Sequence, residues 1–134
     1  KGIVPAWNRN WEDMQLKMAE YAAAVVQAKQ CFHVVVAIDI TPQCDCFAGN
    51  DSPMVPNVGM FASIDPVALD QAVTDKICAQ PALENSVLPE RHAASEEGLD
   101  HLHAINPASD WELSLSHAEA LHAGTRKYRL VEVA

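Results

Sequence analysis

Long apolar runs are missing from this sequence. Stretches such as Val34 to Ile38 stop far short of the roughly 20 residues that a bilayer-crossing helix needs, so no membrane span is expected. Excess positive charge is missing too. Nine Lys and Arg stand against eighteen Asp and Glu, a formal net charge of −9, which repels phosphate backbones and anionic lipid surfaces and argues against a nucleic-acid or membrane partner. There is no Gly-x-Ser-x-Gly elbow, no glycine-rich phosphate loop and no His-Glu-x-x-His, so hydrolase, nucleotide-binding and zincin readings lack support. No second Cys/His pair at zinc spacing, no internal repeat and no low-complexity tract is found. The chain opens on Lys1, without a basic start, apolar stretch and small-residue cleavage site, so a piece of a longer chain is expected.

What is present suffices for one core. With 134 residues, 49% of them apolar, a single α/β domain over residues 1–134 is expected. Asn10 before Trp11-Glu12-Asp13 sets a cap and two carboxylates at the positive end of a helix over about 11–29, with Met14, Met18, Ala22, Val25 and Val26 as its core stripe. Cys31 to Ile40 is nearly continuous and β-branched, the pattern of a central strand covered on both faces. The Pro, Gly, Asn and Asp content of 41–57 predicts a long loop, and 58–64 a second strand. Asp65-Pro66 then opens a helix with Leu69, Val73 and Ile77 inward. Residues 81–94 lack a period and are assigned to loop, and Ser95 to Ile105 to a brief helix. Asp110 caps a helix from Trp111 to about His122, stopped at Gly124, and Tyr128 to Val133 alternates as a third strand. The expected fold is a small layered sheet of about three strands covered by helices, completed by a missing segment or a second copy at its open edges.

The loop Cys44-Asp45-Cys46 carries the strongest chemical suggestion. Both thiols leave a polar loop just past a strand, where ligands of open α/β sheets gather. With Asp45 and Asp51 they offer a half-site for zinc or iron, or the two thiols cycle between dithiol and strained disulfide. The bland reading, two thiols packing a loop, carries about equal weight. Cys31 and Cys78 lie in apolar segments, and reduced thiols fit all four positions better than two disulfides. His33, 92, 101, 103, 117 and 122 are each read as structural or surface residues before ligands, and His101 and His103 diverge if that stretch is helical. Asp65 has a sufficient role as helix cap, which outweighs an acid-base reading with Asp70.

Three runs taken together are specific: Ile40-Thr41-Pro42-Gln43-Cys44-Asp45-Cys46-Phe47, Asn50-Asp51-Ser52-Pro53-Met54-Val55-Pro56-Asn57-Val58-Gly59, and Ala62-Ser63-Ile64-Asp65-Pro66-Val67-Ala68-Leu69-Asp70. In this order they resemble the uncharacterised Fe-S center protein family, the domain-of-unknown-function family numbered 362. The resemblance extends to Lys17-Met18-Ala19-Glu20-Tyr21-Ala22, to Asp110-Trp111 and through Ala118-Glu119 to Tyr128. It implies the C-terminal portion of a bacterial or archaeal cytoplasmic iron-sulfur protein, related to redox or electron transfer, whose longer members carry ferredoxin-like four-iron clusters on an upstream segment. That ferredoxin-like segment is the implied partner, and a Cys-x-x-Cys-x-x-Cys motif is absent from this chain. Cys44 and Cys46 match the family's Cys-Asp-Cys loop, and His122 stands where relatives commonly have Gly. The alternative is a non-redox scaffold or substrate-binding domain with structural cysteines.

Overall fold

A computed structural model describes residues 10–44, 46–94 and 100–133. Asn10 caps α1 (Trp11–Ala28) as expected, its side chain accepting the Glu12 N–H. The buried stripe of α1 is not the one read from its large residues. Gln15, Ala19 and Ala23 face inward, while Met14 and Met18 are exposed. The reason is close approach: Ala19 meets Val67, Leu115 and Ala118, and small side chains let two helix backbones come together where methionines would hold them apart. Gln15 completes the contact, with its Nε2 donating to Trp11 O and its Oε1 accepting the Asp110 N–H.

Among the described residues the sheet has two strands, β1 (His33–Ala37) and β2 (Gly59–Ser63), paired antiparallel with His33 opposite Ser63 and Ala37 opposite Gly59. The mixed α/β class stands, with fewer strands than expected. Burial along β1 alternates instead of covering both faces. Ala37 and Val35 pack with Phe61 on Leu69 and Val73 of α2 (Pro66–Cys78), whereas Val34, Val36 and Met60 on the opposite face are exposed. A run of Val and Ile has no polar residue to mark which face is open, so the sequence pattern does not register the missing cover. Tyr128 to Val133 forms no strand; Tyr128 instead donates its hydroxyl to Asp75 of α2.

Residues 81–94 are not all loop, since α3 spans Leu88–Ala94. Pro89 sits in its first turn, where a missing N–H costs nothing, and Ser86 accepts the Leu88 N–H. After it come α4 (His101–Ile105) and α5 (Trp111–Ala120). The stop of α5 is made at His122, φ +60°, not at Gly124. The Ala123 N–H reaches Ala118 O and the His122 N–H reaches Glu119 O, the paired bonds of a left-handed helix stop. Gly124 serves another purpose. A Cβ there would lie 2.1 Å from Asp65 Oδ1, the carboxylate that caps α2 through the Ala68 N–H and also accepts the Thr125 N–H.

A second core cluster lies beside the sheet and anchors the long loop. Met54, Val55 and Leu88 are at most 2% exposed and pack with Ala104 of α4, flanked by Ile40, Ile77 and Ile105. Backbone bonds from Met54 N to Ile40 O and from Leu83 N to Met54 O fasten the same segment.

Candidate functional site

The loop between β1 and β2 leaves the sheet at Asp39, whose φ of +48° is a turn conformation that aspartate tolerates and whose N–H is taken by Asn57 Oδ1. Its tip is organised by Asn50. The Asn50 Oδ1 accepts N–H groups from Gln43 and Asp51, and its Nδ2 donates to Thr41 Oγ1 and Gln43 O. One amide thus closes the tip against its own stem, a use typical of asparagine in turns. Within that closure the Phe47 N–H donates to Cys44 O at 2.8 Å, which folds Cys44 and Cys46 into one turn.

Both sulfurs are exposed and lie 2.7 Å apart. That separation is nearer to a disulfide bond, about 2.05 Å, than to two thiolates on one tetrahedral metal, about 3.8 Å at ordinary zinc-sulfur lengths. The Cys46 N–H also donates to Cys44 Sγ, at 3.4 Å. The hydrogen bond to Cys44, together with charge on that sulfur, pushes the Cys46 thiol up from its ordinary value. A raised Cys46 thiol keeps its proton at neutral pH.

Of the other loop residues, Asp45 lies outside the described residues. Asp51 is exposed and its Oδ1 accepts from Ser52 N and Ser52 Oγ. Among the described residues no group of three or more His, Cys, Asp or Glu is arranged to hold a metal ion. A four-iron cluster takes four cysteine thiolates. Cys31, beside β1 with its Sγ against Lys29 O, and Cys78, in α2, do not gather with the loop pair into such a set. The cysteines of this chain do not fit that cluster. Burial pushes the Cys78 thiol up, the opposite of what a reactive thiolate needs.

The histidines fall elsewhere. His101 and His103 diverge on α4, as a helix requires. His101 bonds His92 Nε2 and Gln80 O, both at 2.7 Å, while His103 meets Asp100 Oδ2 at 3.1 Å. Burial of Asp100 works against its ionisation, but the His103 N–H, the Trp111 indole N–H and the His103 ring outweigh it and hold the carboxyl below its usual range. These groups join α3, α4 and α5.

A cavity of about 200 Å³ opens beside the thiol turn. Phe47, Val87 and Ile105 line it, with Asp51 and Arg91 among its polar groups. Gly49 lets the Phe47 ring fold over the loop, since a Cβ at position 49 would stand 3.0 Å from that ring. The reading of the sequence did not single out Asn50, Phe47 or Arg91. Asn50 carried a signal, an asparagine between Gly49 and Asp51, but its four partners become visible only in the folded loop.

No curated protein and no solved structure matches this chain. The model of the family described as Domain of unknown function (DUF362) matches residues 1–75, which hold α1, β1, the thiol loop, β2 and most of α2. That is more than half of the 134 residues, and the chain belongs to that family.

Proposed function

We propose that this chain serves redox chemistry as a dithiol-disulfide module, with Cys44 as the attacking thiolate and Cys46 as the resolving thiol. In the parent protein it works beside an iron-sulfur cluster carried by another, ferredoxin-like segment. The observation that carries the reading is the 2.7 Å approach of two exposed sulfurs on a turn held by Asn50. The sulfurs stand about 0.7 Å farther apart than in a disulfide bond. A zinc or iron half-site on Cys44 and Cys46 would require the sulfurs to move apart by about 1 Å and the remaining ligands to come from Asp45 or Asp51, a histidine of the 92–103 region or another chain. The thiol reading needs neither.

The test is an anaerobic titration of the reduced chain with an oxidant, followed by alkylation and intact mass. One two-electron product is expected, with the disulfide mapped to the peptide holding both 44 and 46, and Cys44→Ser or Cys46→Ser abolishes it. If the pair stays reduced while added zinc or ferrous ion protects it from alkylation, the metal reading takes its place. If neither oxidant nor metal engages the pair, the cysteines are structural.

A further inference from the structure

The cavity beside the thiol turn has a composition of its own. At about 200 Å³ it is smaller than the pockets that take drug-sized ligands and cofactors, and has room for a group the size of one amino acid. Its apolar wall, Phe47, Val87 and Ile105, suits a short carbon-sulfur chain. Its polar groups are of opposite charge. The Arg91 guanidinium makes no ion pair among the described residues, and only one Asp51 oxygen is used by Ser52. A cation and an anion on one small cavity complement a zwitterion, with Arg91 taking a carboxylate and Asp51 an ammonium. Gln43 and Phe47, which bracket the two cysteines in sequence, both line the cavity.

We propose that this cavity binds the amino-acid end of a low-molecular-weight disulfide of the cystine type and presents its sulfur to Cys44. The proposal rests on the dithiol reading and adds its oxidant. Cys44, having lost its proton to water, attacks the bound sulfur. A Cys44–sulfur bond forms as the ligand's own S–S bond breaks, and the departing half leaves as a thiolate that takes a proton from water. Cys46 then gives up its proton and attacks Cys44 Sγ, releasing the second half as a thiol and closing the 44–46 disulfide. Two electrons and two protons pass from the protein dithiol to the small disulfide, which becomes two thiols.

The experiment uses the reduced full chain under anaerobic conditions and three probes, each rate being divided by that of the same probe with free glutathione, because a neighbouring ammonium lowers the leaving thiol's pKa and speeds exchange by itself. L-cystine carries ammonium and carboxylate, cystamine lacks the carboxylates, and 3,3′-dithiodipropionate lacks the ammoniums. Formation of the 44–46 disulfide is followed by quenching and intact mass. Cystine is expected to react about tenfold faster than either of the others, the ratio one charge-assisted contact supplies. Arg91→Gln should bring cystine down to the rate of cystamine, and Asp51→Asn to that of dithiodipropionate, with circular dichroism confirming that both variants fold. Equal rates for the three probes, unchanged by either variant, overturn the cavity assignment and leave the dithiol reading standing. Failure of all three probes and of a strong general oxidant to form the 44–46 disulfide overturns both.

Discussion

The two halves of the loop between β1 and β2 are built on opposite principles. Its second half is core: Met54 and Val55 are at most 2% exposed, locked against Leu88 and α4. Its first half is surface. Cys44 and Cys46 are exposed, and hydrogen bonds to a single side chain, Asn50, take the place of burial there. The contrast shows how a protein holds an exposed turn in one shape without burying it. A hydrophobic anchor fixes where the loop is, and an amide network fixes what shape its tip takes. Stability and reactivity should therefore be separable by mutation.

The largest effect should come from the anchor. Leu88→Ala removes a fully buried side chain from the cluster around Met54 and Val55 and should cost about 2–5 kcal/mol, read by chemical denaturation. A loss under about 1 kcal/mol would show that the second core does not govern the loop.

Acid should strike the same anchor next, through α4, which supplies Ala104 and is capped by Asp100. Because the Asp100 carboxyl is held below its ordinary value of 3.8, it stabilises the fold fully above that value, and the contribution fades as pH falls through the lower folded value. Asp100→Ala should cost about 1–2 kcal/mol at pH 7, the scale of a lost cap, and the gap from wild type should narrow below about pH 4. Melting curves at pH 7, 5 and 3 check it, and a gap that does not narrow breaks the link.

Asn50→Ala should cost less, about 0.5–1.5 kcal/mol, because its partners can turn to water. It should nonetheless slow closure of the 44–46 disulfide severalfold by loosening the turn. Smallest of all, Cys44→Ser or Cys46→Ser in the reduced chain should shift stability by no more than about 0.5 kcal/mol, as exposed positions do. A large loss there would mean that the thiols are structural after all.

How far the sequence foretold these regions depends on what kind of signal each carries. The start of α1, the start of α2 and the start of α5 were readable because Asn10, Asp65 and Asp110 are local caps that act on the next three residues. The open sheet face was not, because Val34 and Val36 are as apolar as any buried pair and only the placement of α2 decides which side is covered. Helix α3 escaped because seven residues are too few to show a period and Pro89 reads as a breaker outside its structural setting. The alternation from Tyr128 to Val133 is real, but a strand needs a neighbour, and the described residues give it none. At the thiol loop the residue types were legible in sequence. The distance between the sulfurs was not, since it depends on Asn50 and the Phe47 turn.

The contact of Asp65 with Gly124 bears on where this molecule can be divided. Asp65 lies inside the part that matches the family, and Gly124 and Thr125 lie outside it. Further ties cross the same border, among them Gln15 to Asp110, Gln71 to Arg126 and Asp75 to Tyr128. Residue 75 also falls within α2, so the edge of sequence similarity is no edge of folding. Truncation there would strand the acceptors of these bonds and strip α5 from α1. In inheritance terms, the two stretches are free to drift at different rates but not separately. A side chain at position 124 displaces the Asp65 carboxylate from its place, and with it the cap of α2, so what position 124 can hold depends on position 65.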